Sequence, residues 1–325
     1  MRAIGAGSAP FHYRNVILRL RLAENFRAIF YAPFYALKAL GFAADEGLEI
    51  DWVESNIPGG TIDSLKSGTI DVTWGGPMRV IKDHDSTPRD GRSLVCFGEV
   101  VSRDPFYLVG KSASSGFKLA DLATMRMGVV AEVPTPWLCL QNDLRETGLD
   151  PFAIPYDIGR SMPQNVEALA THALDVAQFF EPYVSQALET GTVQVLYAGH
   201  SRGPTVYTTF ICTHDGMLHH RAAFIRLQNA LQKVQDWIVV NGPIEFAKIV
   251  SPFFPEIPAT VFSAAIKRYA QDGIWASSPA VSRSGFDRLA HSLHTGGFVS
   301  RQMTYEECVD NFDDRGVAPS RDQNQ

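Results

Sequence analysis

Asp71-Val-Thr-Trp74-Gly75-Gly76-Pro77-Met78-Arg79 is a short β-rich run that stops at two glycines, after which a helix begins on a proline. Having no Cβ, Gly75 and Gly76 let backbone N–H groups approach a ligand closely. Pro77 suits the first position of a helix whose unpaired amides attract anions. This order of strand, polar loop and helix recurs at least four times. Strand candidates lie at 16–22, 48–53, 70–74, 94–100, 106–110, 127–131, 174–179, 193–198 and 205–213. Helix candidates lie at 29–40, 61–67, 77–83, 135–147, 163–172 and 182–189. The alternation predicts an α/β fold. From 218 onward the pattern is helical, at about 218–240, 243–250, 258–271, 280–296 and 304–311.

The chain has 325 residues, 45% of them hydrophobic, enough for two domains of roughly 150 residues each. A net charge of −6 without a long basic run argues against nucleic acid as a partner. Cys96, Cys139, Cys212 and Cys308 lie far apart, without the spacing of a zinc site, and Cys96 and Cys212 fall in apolar runs that suit buried thiols. The histidines show no H-E-x-x-H pattern, and adjacent His219 and His220 point about 100° apart on a helix, so no metal or other cofactor is expected. Val16-Ile-Leu-Arg-Leu-Arg-Leu22 alternates as a strand with one wet face and does not form the apolar core of a secretory signal. No segment reaches the ~18 apolar residues of a membrane span. These features put the protein in the cytoplasm if the chain is complete, or outside it if a signal has been trimmed.

Two small, polar stretches, Lys111-Ser-Ala-Ser-Ser-Gly116 and Ser201-Arg-Gly-Pro204, read as hinges. They divide the chain into a larger α/β lobe of 1–111 with 203–325 and a smaller one of 112–202. The polar tail after Asp313 is expected to be disordered.

In open α/β sheets ligands bind beyond the carboxyl ends of the strands. Four such loops carry chemistry: Ala23-Glu24-Asn25-Phe26-Arg27, Ser55-Asn56-Ile-Pro58-Gly59-Gly60-Thr61, Trp74-Gly75-Gly76-Pro77, and Ala131-Glu132-Val-Pro134-Thr135-Pro136-Trp137. Each joins hydrogen-bonding groups to rings or glycines, which suits a flat or small polar ligand. Trp74 reads either as core packing or as a stacking surface. Arg27 and Arg79 are solvated or clamp a carboxylate, sulfonate or phosphate. Glu24, Glu99 and Glu132 suit an amino-heterocycle, and Glu181 is either a ligand contact or a buried acid capping the helix after Pro182. Trp237 and Trp275 read as packing. Gly199-His200-Ser201-Arg202-Gly203 fits G-x-S-x-G, but a nucleophile elbow must lead into a helix, and here Pro204 and a β-rich run follow.

Several stretches resemble one family. They are Tyr31-Ala-Pro33-Phe-Tyr-Ala-Leu37, Gly41-Phe-Ala-Ala-Asp-Glu46-Gly47-Leu48-Glu-Ile50, Leu65-Lys-Ser-Gly68-Thr-Ile-Asp71, Leu119-Ala-Asp121-Leu122, and Leu174-Asp175-Val-Ala-Gln178-Phe-Phe180-Glu181-Pro182-Tyr183. Over roughly residues 14–312 the chain resembles the nitrate, sulfonate and thiamine-pyrimidine-precursor binding proteins of ABC importers. The resemblance implies a two-lobed, type II periplasmic-binding-protein fold with a two-strand hinge, a periplasmic location, and an ABC permease as partner. It implies ligand contacts at Asn25, Phe26, Arg27, Trp74, Gly75, Gly76, Val133, Pro134, Thr135, Phe180 and Glu181, to which the residue reading adds Glu24 and Arg79.

Relatives with the same fold include a fungal pyrimidine synthase and an aromatic sulfinate desulfinase, so an enzyme is the alternative. The synthase's cysteine cluster would fall near Phe210-Ile-Cys212-Thr, with one cysteine, and the desulfinase's cysteine would fall in the first loop, where Phe26 stands. The expectation is a monomeric clamp closing on one planar heterocycle or aromatic acid without chemical change.

Overall fold

The computed structural model describes residues 17–55, 59–111, 116–130 and 132–312. Asn56 to Pro58 of the second loop, Ser112 to Ser115 of the first expected hinge, Ala131, and the tail from Asp313 lie outside the described residues.

In chain order the strands are β1 (Leu18–Ala23), β2 (Leu48–Val53), β3 (Val72–Gly75), β4 (Leu94–Val101), β5 (Tyr107–Gly110), β6 (Met127–Gly128), β7 (Tyr156–Asp157), β8 (Val176–Phe179), β9 (Gln194–Ala198) and β10 (Thr208–Thr213). They form two five-stranded sheets, ordered β2-β1-β3-β10-β4 and β7-β6-β8-β5-β9. In the first sheet β1 is parallel to β2 and β3, and β10 is antiparallel to β3 and β4. In the second, β6 is parallel to β7 and β8, and β5 is antiparallel to β8 and β9.

β1 follows its alternation. Leu20 and Leu22 are fully buried, while Arg19 pairs across to Glu49 on β2 at 2.8 Å. Arg21 grips Asp71 at the start of β3, Nε to Oδ2 at 3.1 Å and Nη2 to Oδ1 at 2.5 Å. Both flanks of β1 are thus tied by charges the sequence places on its wet face.

The helices are α1 (Ala32–Leu40), α2 (Phe42–Asp45), α3 (Thr61–Lys66), α4 (Met78–Ser86), α5 (Thr135–Glu146), α6 (Met162–Ala170), α7 (Tyr183–Glu189), α8 (His214–His219), α9 (Arg221–Val250), α10 (Ala259–Gln271), α11 (Arg283–Thr295) and α12 (Tyr305–Cys308). Pro77 is the cap preceding α4 rather than its first residue. α1 and α9 cover one face of the first sheet, where Phe34, Phe97, Phe210 and Phe224 build the core with Leu20, Leu22 and Trp74. Cys96, Cys139, Cys212 and Cys308 are free and buried. No helix of the described residues is long and apolar enough to cross a membrane.

Two features depart from the sequence expectation. β5, assigned in advance to the larger lobe, hydrogen-bonds β8 and β9 in the second sheet. The chain therefore leaves the first sheet through 102–106, ahead of the polar stretch at 111–116, and returns through 199–207. β7 was not anticipated: two residues show no alternation, and its pairing of Tyr156 with Met127 defines it.

Candidate functional site

The carboxyl ends of β1 and β3 supply one wall of a cleft between the sheets. After β1 the chain places Asn25, which is 1% exposed. Its Oδ1 accepts the Gly59 N–H at 2.7 Å. That bond orients the amide, and the other end, Nδ2, is buried and turned toward the Tyr31 phenol, with no hydrogen bond of full geometry among the described residues. Arg79, the second residue of α4, reaches the same space. Its guanidinium is half-buried and no carboxylate of the described residues pairs with it. Burial lowers its pKa, and the Tyr31 phenol opposes that shift. Gly59 borders Arg79 so closely that a Cβ there would lie 2.1 Å from Nη1, and its φ of +78° also requires glycine.

The second wall comes from β6, β8 and the two crossings. Val133 and Thr135 stand at the start of α5, Phe180 follows β8, and Phe106 and Tyr207 come from the crossings. Phe180 meets Phe30 and Phe106 edge-on, each at 5.3 Å between ring centroids, so rings from both sheets close the cleft floor. Tyr207 is 6% exposed and its hydroxyl has no partner among the described residues. Burial raises its pKa, so it stays a neutral donor.

These groups enclose an inner cavity of about 40 Å3, lined by Asn25, Phe30, Tyr31, Gly76, Arg79, Phe106, Thr135 and Tyr207 among others. A wider groove of about 350 Å3 carries Arg27, Glu132, Phe180, Tyr183, Gln186 and Glu256. Phe26 and Val133 line both spaces, and Phe26 packs edge-on to Tyr31 at 5.1 Å, standing between the two.

The structure thus brings Asn25, Phe26, Arg27, Gly76, Arg79, Val133, Thr135 and Phe180 to one cleft. Five of the expected residues stand behind its walls. Glu24 is engaged by Arg27, Nε to Oε1 at 3.1 Å, and by the Tyr35 hydroxyl at 2.5 Å. Trp74 is 1% exposed and lies flat against Phe34 at 4.5 Å in the core. Gly75 closes β3, pairing with Thr209. Pro134 is the residue before α5. Glu181 is fully buried, its Oε2 accepting the Ser185 N–H at 3.0 Å and its Oε1 accepting Arg268 Nε at 2.8 Å, the helix-end reading of the two left open.

Glu99 too lies away from the cleft, its Oε2 accepting the Ser282 N–H at 2.8 Å. Trp275 packs against the core, its indole N–H donating to the Phe30 carbonyl at 3.0 Å. Sequence reasoning missed Tyr31, Phe106 and Tyr207. Tyr31 lies in an apolar run, and the other two sit on crossings that strand pairing alone reveals. Gly199–Arg202 forms a 3-10 turn and runs on into extended chain, not a helix. Among the described residues no group of three or more His, Cys, Asp or Glu side chains is placed to hold a metal ion.

A family described as NMT1/THI5 like matches residues 29–242, well over half of the chain. The chain belongs to the NMT1/THI5-like family. A Bacillus subtilis (strain 168) protein, YtlA, which carries the name of a binding protein, is 22% identical over 303 residues, covering 91% of this chain and 88% of its own. Solved structures share the periplasmic-binding-protein fold. The periplasmic aliphatic sulphonate binding protein SsuA from Escherichia coli superposes with a TM-score of 0.74 at 16% identity, over 92% of this chain and 95% of that one. The periplasmic nitrate-binding protein NrtA from Synechocystis PCC 6803 gives 0.60 at 15% identity, over 87% and 81%. The NMT1/THI5-like match takes in β2 to β10, so the second sheet, both crossings and every strand of the first sheet except β1 fall inside it.

Proposed function

We propose that this protein is the solute-binding component of an ABC-type importer, closing on one small organic ligand between its two sheets and releasing it unchanged. The observation that carries the reading is the pair of buried polar groups without hydrogen-bond partners among the described residues, Asn25 Nδ2 and the Tyr207 hydroxyl, that line a ring-walled cavity supplied by both sheets. Buried polar groups are costly unless hydrogen-bonded, and a ligand's acceptors offset that cost. The rings of Phe26, Phe30, Phe106 and Phe180 favour a planar heterocycle or an aromatic acid over a bare inorganic anion. The segments 102–106 and 199–207, the two links between the sheets, act as the hinge. A permease is the partner in transport, the clamp works as a monomer, and the periplasmic neighbours named above support a place outside the cytoplasm.

Native mass spectrometry of the purified protein, followed by mild denaturation, tests this. A small aromatic compound recovered intact, and taken up again unaltered by the emptied protein, is the expected result. A compound that is chemically converted on incubation would overturn transport in favour of an enzyme.

A further inference from the structure

The two compartments of the cleft carry opposite charge. Among the described residues the only charged side chain lining the inner cavity is Arg79, joined by the donors Asn25 Nδ2 and Tyr207 OH. A guanidinium drawn partly out of water without a counter-ion is unfavourable, and Arg79 also stands at the positive end of the nine-residue α4. An acid group entering there offsets the burial. A volume of about 40 Å3 fits about three water-sized atoms, the size of a carboxylate, at 10–15 Å3 each.

The outer groove has the reverse balance. Of its charged residues Arg27, Glu132 and Glu256, Arg27 is neutralised by a bidentate pairing with Glu24 at 3.1 and 3.2 Å. Glu132 and Glu256 are left in excess. One oxygen of Glu132 accepts the Met162 N–H at 3.0 Å, and its charge adds to burial in raising the pKa of Tyr183 across the groove. Phe26, shared by both compartments, is the ring that a ligand spanning them must pass.

We infer that the ligand is dipolar: an acid group seated on Arg79, a flat or apolar body beside Phe26, and a protonated amine or similar base facing Glu132 and Glu256. This rests on the clamp reading, since it concerns what the clamp holds.

Calorimetric titration with three matched probes tests it: 4-(aminomethyl)benzoate, with both charges; 4-methylbenzoate, with the acid alone; and 4-methylbenzylamine, with the base alone. The dipolar probe should bind at least about tenfold tighter than either partner. Arg79→Gln should weaken both acids about tenfold, with Arg79→Lys, which keeps the charge, recovering part of the loss. The Glu132→Gln/Glu256→Gln double variant should weaken only the amine-bearing probes, and thermal melting confirms that each variant folds. Equal affinity of 4-methylbenzoate and the dipolar probe, or no binding of any acid, overturns the inference. Recovery of an intact ligand with no acid group from the purified protein also overturns it while leaving the clamp reading standing. Conversion of a probe would sink the clamp instead.

Discussion

Trp74 lies flat on Phe34, with 7° between the ring planes, inside a cluster that includes Phe210 and Tyr35. Its loop position suggests a ligand surface, yet its ring stacks on Phe34 and meets Tyr35 edge-on, both on α1. Trp74→Ala should therefore lower unfolding stability by about 3–5 kcal/mol in urea titrations. Its indole N–H has no partner among the described residues, so Trp74→Phe, which keeps the stacking, should cost far less. Glu99 is a second residue whose role is energetic. It is 2% exposed, and burial, opposed by the Ser282 N–H, pushes its carboxyl from 4.5 up to about 7. The folded state thus holds the proton more tightly than the unfolded chain. Stability should fall as pH rises from about 4.5 to about 7, by on the order of 3 kcal/mol, and stay level above. Glu99→Gln should flatten that part of the pH–stability curve, measured by denaturant unfolding at half-unit steps; an unchanged slope would assign it to other groups.

At the scale of elements, the break in α9 was legible in advance, because Gly242-Pro243 interrupts the helical pattern between 240 and 243. The structure shows why glycine is needed. Gly242 adopts φ 74° and ψ 178°, a region that side chains with a Cβ avoid, and Pro243 then restarts the helix toward Val250. Gly242→Ala should cost about 1–3 kcal/mol, read as a lowered melting temperature, without altering ligand affinity. The end of α7 was less legible. Glu181 and Pro182 look like a ligand loop until Arg268, on α10, and Ser185, a turn further on, are seen to hold the carboxylate. Helix ends and breaks can be read locally when glycine and proline set them, but not when the partner lies 87 residues away.

Across the whole molecule, the two crossings are joined by Arg202. Its side chain is 6% exposed and lies between Asp104, on the first crossing, and Asp143, on α5, with Nε 2.9 Å from Asp143 Oδ1. The Tyr197 hydroxyl adds a bond to Asp143 at 2.8 Å. The motif that resembles a nucleophile elbow thus supplies a structural cation. Arg202→Met leaves two buried carboxylates without their partner and should lower stability by about 3–5 kcal/mol, checked by urea unfolding. The sequence alone determined the α/β class, nearly every strand and helix, the cleft at the carboxyl ends of the strands, and Asn25, Phe26 and Arg79 as candidates. Those follow from local periodicity and turn chemistry, which neighbouring residues carry. Only the tertiary structure decided that β5 belongs to the second sheet, that Tyr31 and Tyr207 face the cleft, and that Glu24, Trp74 and Glu181 do not. The reason is that a side chain's direction and partners depend on strand pairings and packing between segments far apart in the chain, such as Tyr107 against Phe179 and Ala198.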